Sequence, residues 1–239
     1  MAARVTRTRT LTVTRMTTDL PLLRLLQLVS PSLPIGGFTY SQGIEWAVEA
    51  GWLNTAADLD AWLADQLQSS LARVDLPLLV RMQAAAAARD PRAMGMLIDR
   101  LIAARETMEL RLEESNRGRA LADLLLAWAL AEAREWRPVL ARSQAAGFAF
   151  AAAAWGIAPR HAAAGYAWAW LEGLVLTAVK CVPLGQTQGQ QVLVRLAGLI
   201  PSVLDQAQAC PDNAIGASCP ALAIASSAHE TQYTRLFRS

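Results

Sequence analysis

Reactive side chains are what this sequence has least of. Among its 239 residues are two histidines, His161 and His229, and three cysteines, Cys181, Cys210 and Cys219. No HExxH or His-x-x-x-His pair presents two imidazoles on one helix face, and no CxxC offers paired thiolates, so a metal site is not expected. The cysteines read as reduced, buried thiols of a cytoplasmic protein. A Ser-His-Asp or Cys-His device would have to borrow one of the two histidines, and no G-x-S-x-G elbow exposes a nucleophile. Hydrolytic catalysis is therefore not expected. Phosphate cradles are missing too. Gly36-Gly37 and "GQTQG" at 185–189 have the glycines, but no Lys followed by Ser or Thr completes a Walker loop and no strand precedes them.

Charge is also scarce, at 18% against the roughly 25% usual for soluble domains. The net charge of +2 is too balanced for a nucleic-acid binder, which concentrates Lys and Arg on one face. The apolar fraction is 54%, more than a core alone accounts for, and this points to protein partners. The opening "MAARVTRTRTLTVTRM" carries four arginines before the first acid, Asp19, without the apolar centre of a secretory signal. It reads as a flexible extension over residues 1–19. The charge-free run between Arg142 and Arg160 is shorter than the about 20 apolar residues of a membrane span, and reads as a buried helix.

What the sequence does have is helical spacing nearly everywhere, with apolar residues recurring at three and four. Leu22, Leu25, Leu26 and Val29 form one stripe of a first helix over 20–29, which Ser30-Pro31 stops. A second runs from near Ser41 to Ala50. Thr55 or Asp58 suits the start of a third, Asp75 before Pro77 repeats the device, and Asp90-Pro91 starts another. The stretch from Pro91 to Arg134 is too long for one helix and is expected to break near Ser115–Gly118. Pro138 and Pro159 open two more. Another begins at Gln186 and stops before Pro201, and Pro220 begins a short final turn. No segment alternates with period two, so the fold class is all-α, a single-domain bundle of roughly nine or ten helices with no significant sheet. Glu106, Glu109, Glu113 and Glu114 alternate with Arg105, Arg111, Arg117 and Arg119, the pattern of an exposed, ion-paired helix side.

Two junctions stand out. Phe38, Tyr40, Gln42, Trp46 and Trp52 crowd one, and Gln186, Gln188, Gln190 and Gln191 crowd another after Pro183. Aromatics bring contact area, and glutamine hydrogen-bonds without the desolvation cost of a charge. Around these residues the chain resembles the UreF family of urease accessory proteins. "LLQLVSPSLPIGGFTYSQGIEWAVEAGW" is similar to the family's N-terminal signature, "AVKCVPLGQTQGQQVL" to its K-x-VPLGQ segment, and "CPALAIASSAHETQYTRLFRS" to its ending.

The resemblance implies a non-enzymatic, cofactor-free adaptor that forms a homodimer. It implies binding to the UreD (UreH) accessory protein, recruitment of the GTPase UreG, and service to apo-urease in nickel insertion, with no nucleic acid or membrane involved. Carried onto this chain, it suggests Phe38, Tyr40 and Gln42 near the UreG surface, on a turn set by Pro34, Gly36 and Gly37. Lys180, Gln186 and Gln190 would shape a helix junction. The helical domain would span 20–209, and residues 210–239 would be a tail ordering on UreD through His229, Glu230, Tyr233 and Arg235. The alternative is a GTPase activator in which Arg235, or an arginine near the N-terminal block, enters the UreG site.

Overall fold

Proline and capping side chains set most of the boundaries that the spacing predicts. The structure, a computed structural model, describes residues 19–238. Apart from Asp19, the expected extension over 1–19 lies outside them. Helix α1 (Leu20–Val29) has Pro21 in its first turn and ends as Ser30 turns extended before Pro31. A short 3₁₀ turn, Gly37–Thr39, leads to α2 (Ile44–Glu49). Helix α3 (Ala56–Gln66) opens with a reciprocal cap in which Asp58 N donates to Thr55 Oγ1 and Thr55 N donates to Asp58 Oδ2.

The chain then stays helical without a break to the end of α4 (Leu76–Ala87). Asp75 is accordingly not the cap that the sequence suggests. Pro77 has no amide hydrogen for the Arg73 carbonyl four residues earlier, and its ring crowds that oxygen. The backbone answers upstream by winding Leu67–Asp75 as a π-helix, in which Leu76 N donates to Leu71 O, five residues back. The Arg73 carbonyl accepts instead from Gly216 N at 3.1 Å. A proline in the long helix thus docks a connector from far along the chain.

Helix α5 (Pro91–Ala103) starts at Asp90, whose carboxylate accepts from Ala93 N at 2.9 Å. Helix α6 (Met108–Ala127) starts at Thr107, whose hydroxyl accepts from Leu110 N. The expected break near Ser115–Gly118 is absent, because the chain interrupts itself earlier, between Ala103 and Met108. Gly118 serves another purpose. A β-carbon there would lie 2.6 Å from Ser143 N, so its hydrogen lets the start of α8 (Gln144–Ala154) sit directly on α6. Between them, α7 (Ala133–Leu140) begins at left-handed Glu132 (φ 63°) and carries Pro138 inside its second turn, where the sequence reading made that proline the opener.

Helix α9 (Pro159–Cys181) begins on Pro159 as expected, followed by α10 (Gln186–Ala197). Helix α10 stops at Ala197, before Pro201 as expected, but the chain turns helical again at that proline. Pro201 lies in the first turn of α11 (Ile200–Ala209), where no donor is needed. Helix α12 (Pro220–His229) follows. Among the described residues there is no strand. Counting Ala56–Ala87 as one, ten helices have eight residues or more, with α2 a shorter one.

The core surrounds α8 and α9. Helix α8 packs on α4, α6, α7 and α9, and α9 packs on α1, α2, α4, α10 and α11. The small residues of α8, from Ala145 to Ala152, are all buried, which lets its neighbours approach closely, and Phe148 meets Tyr166 edge to face at 5.3 Å. Helix α9 is long and apolar enough to cross a membrane by length and composition, but its Leu171, Val175 and Ala178 are buried in this core.

Two glycines test this packing. Gly118→Ala forces α6 and α8 apart, so urea unfolding is expected to show a loss of about 1–3 kcal/mol. Gly173→Ala places its methyl in open space on helical α9 and is expected to gain about 0.5–1 kcal/mol in the same experiment.

Candidate functional site

The three blocks picked out in the sequence, far apart along the chain, meet at one end of α9. The first is the turn through Pro34 and Gly36. Gly36 takes φ 73°, and its carbonyl accepts from both Thr39 N and Thr39 Oγ1. Pro34 is exposed while Leu33 and Ile35 on either side are buried, and Phe38 stands 63% exposed at the tip. Tyr40 and Gln42, which the sequence groups with Phe38, turn inward. Tyr40 is 5% exposed, its hydroxyl accepting from Asn116 Nδ2 and its carbonyl from Thr177 Oγ1. Gln42 Nε2 donates to both Glu113 oxygens at 3.1 Å, and Gln42 Oε1 accepts from Trp170 Nε1 at 3.1 Å. Trp46 and Trp52 pair with each other edge to face at 5.0 Å.

The last block folds back onto the first. Helix α12 crosses α2 at Gly43, where φ is 78° and a β-carbon would lie 3.0 Å from both Ala225 Cβ and Ser226 N. His229 is fully buried, neither solvated nor free to meet a neighbour. Its Nδ1 lies 2.8 Å from Glu109 Oε2 and its Nε2 lies 3.1 Å from Glu45 Oε2. The carboxylates flank the ring from opposite sides, so the three side chains do not converge on a common point. Among the described residues no group of His, Cys, Asp and Glu is arranged to hold a metal ion.

Glu230 accepts from Met108 N at 3.0 Å and Glu109 N at 3.4 Å, a carboxylate at the positive end of α6. Arg235 Nη1 donates to Glu109 Oε1 at 2.9 Å. Leu236 N and Phe237 N donate to Glu45, and Arg238 N donates to Thr39 O at 2.8 Å. Tyr233 is fully exposed, as is most of Leu236. The tail that the sequence reading assigned to a partner is therefore seated, in this structure, on the chain's own body.

The middle block closes the ring. Lys180 Nζ sits 5.9 Å over the buried Phe237 ring, and Lys180 and Gln186 line the same cavity as Phe38. Gln190 is exposed on α10, and no hydrogen bond joins it to this site. Cys181 and Cys210 are half-buried and Cys219 is buried, all unbridged. Burial, then the nearby Glu45 carboxylate, pushes the Cys181 thiol up to about 11.

The acids and arginines between residues 105 and 119, on α6 and the connector before it, differ most from expectation. Glu106, Arg111 and Arg119 are exposed, but Glu109, Glu113 and Glu114 are buried, because each has a donor waiting. Arg117 donates to Glu113 at 2.8 Å. Arg105 bonds Asp75 and also reaches Glu114, which accepts from Ser143 Oγ at 2.6 Å and Ala145 N at 3.0 Å. Asp75, Arg105, Glu113, Glu114 and Arg117 border a cavity of about 300 Å³. Burial alone would raise the Glu114 carboxyl, but Arg105, the Ala145 amide and the Ser143 hydroxyl together hold it below the ordinary value. Burial pushes Tyr166 well above the ordinary phenol. Glu45, Glu109 and Glu113 were missed as site residues. The sequence did hold a signal for Glu45, which closes the first block, whereas the α6 acids share their spacing with any solvated helix.

A family profile described as UreF matches residues 53–197. The chain is similar to a protein named urease accessory protein UreF from Pseudomonas putida strain W619, 54% identical over 224 residues that cover 94% of this chain and 100% of that protein. It is similar to proteins of the same name from Alcanivorax borkumensis, 50% identical over 222 residues (90% of this chain, 97% of that one), and from Escherichia coli O157:H7, 46% identical over 217 residues (91% and 97%).

The lowered Glu114 carboxyl gives a pH signature. A depressed carboxylate contributes fully above its ordinary 4.5 and loses that contribution as pH falls through the lower folded value. Glu114→Gln is expected to cost about 3 kcal/mol at pH 7. In thermal melts its deficit against the parent chain is expected to shrink as pH drops below 4.5.

Proposed function

Because the chain belongs to the UreF family of urease accessory proteins, we propose that it is an adaptor joining a UreD (UreH) accessory protein to the GTPase UreG, so that nickel reaches apo-urease. It acts in the cytoplasm as a homodimer, without catalysing a reaction and without membrane or nucleic acid. The observation that carries this reading is the meeting of the three blocks: exposed Phe38, Tyr233 and Leu236 rise from a base whose buried charges are all paired. Exposed aromatics on a rigid base are the usual anchors of protein interfaces, since little side-chain freedom is lost when they are covered.

Phe38 beside Lys180 and Gln186 is the face proposed for UreG. Tyr233 and Leu236, with Ile224 on α12 and Met108 on α6, are the face proposed for UreD. The outer side of α1, where Leu20, Leu22, Leu23 and Leu26 are exposed, is the apolar surface left for the homodimer. Tyr40, Gln42, His229, Glu230 and Arg235 act in this reading by holding the surface in place. For the alternative, a GTPase activator, Arg235 would first have to leave Glu109.

Phe38→Ser is expected to weaken UreG capture by about thirty-fold, the equivalent of about 2 kcal/mol, with the circular dichroism spectrum unchanged. Tyr233→Ala should act likewise on UreD. Co-purification of the three proteins, sized by light scattering, checks both, and undiminished capture by the double variant overturns the reading.

A further inference from the structure

We propose that Glu45 is a positioning residue that makes the first and last blocks a single surface. Its carboxylate, 8% exposed, takes Leu236 N at 2.6 Å on one oxygen and Phe237 N at 3.0 Å on the other, which also faces His229 Nε2. Two consecutive strap amides and the end of α12 therefore depend on one side chain. Few other contacts fix the strap, residues 231–238, and ahead of Arg235 Gln232 Nε2 donates to Glu49 Oε2. Phe237 is their one buried apolar side chain, Tyr233 and Leu236 lie in solvent, and the remaining ties from 235 onward are Arg235 to Glu109, Lys180 over the Phe237 ring and Arg238 N to Thr39 O.

Glu45 is itself rigidly held. It sits in the first turn of α2, between fully buried Ile44 and Ala47, just after left-handed Gly43, and its own amide donates to Ser41 Oγ. Whatever orients the glycine turn therefore orients the acceptor of the strap. The strap returns the favour, because Arg238 N fixes Thr39, next to Phe38. Without the carboxylate the two amides lose their acceptor inside the fold, and a group with so few apolar contacts opens before the core does.

The consequence for partners rests on the adaptor reading, but the local one does not, and the experiment separates them. Amide hydrogen exchange is followed in the purified full chain for the parent, Glu45→Ala and Glu45→Gln. In Glu45→Ala the Leu236 and Phe237 amides are expected to exchange about ten-fold faster or more, while those of α8 and α9 keep their protection. Glu45→Gln, which keeps the shape and one acceptor oxygen, is expected to fall between, and it carries the test if the alanine variant does not fold. Faster exchange in α8 and α9 in parallel would mean general destabilisation and overturn the proposal, as would strap amides unprotected in the parent. Local loosening with undiminished capture of UreD and UreG would uphold the positioning of the strap and overturn the adaptor reading of this surface.

Discussion

A buried carboxylate must find donors, and that requirement organises this molecule. Glu45, Glu109, Glu113, Glu114 and Asp75 all lie inside the fold, where an unpaired charge is far too costly to keep. Each is answered by a group from a distant part of the chain: Glu45 by the C-terminal strap, Glu109 by Arg235, Glu113 by Gln42, Glu114 by the start of α8, Asp75 by the α5–α6 connector. Apolar periodicity decides that helices form and roughly which faces turn inward. The polar pairs decide register, because each has one geometry that satisfies it. The result is a rigid platform at one end of α9 that leaves a few aromatic and aliphatic side chains uncovered.

Much of the fold was legible because its punctuation is local. Ser30-Pro31, Thr55 with Asp58, Asp90-Pro91 and Pro159 act through the backbone within a few residues, so their effect can be read from neighbours alone. The misreadings share a cause. Pro77 and Pro138 have the same chemistry as the others, but whether a proline starts, bends or merely sits in a helix depends on what the freed carbonyl finds, and for Arg73 that is Gly216, far along the chain. Gly118 reads as a helix breaker until Ser143 is seen against it.

The site was half legible for the same reason. Phe38 and the turn around Gly36 are where composition suggested, because an exposed aromatic beside a left-handed glycine is a local event. Tyr40, Gln42 and His229 turned inward because their partners come from distant parts of the chain. The acids of α6 were misread because a three- and four-residue charge pattern is indifferent to whether water or Arg117 stands opposite.

The bond from Leu236 N to Glu45 joins residues 191 apart in the chain. A loop of that size cannot close before residue 236 has been synthesised, and closing it costs entropy that the intervening helices must already have reduced by folding. During translation this contact therefore forms after the helices that separate its partners. A chain stopped short of residue 236 carries the glycine turn without the strap that Glu45 holds.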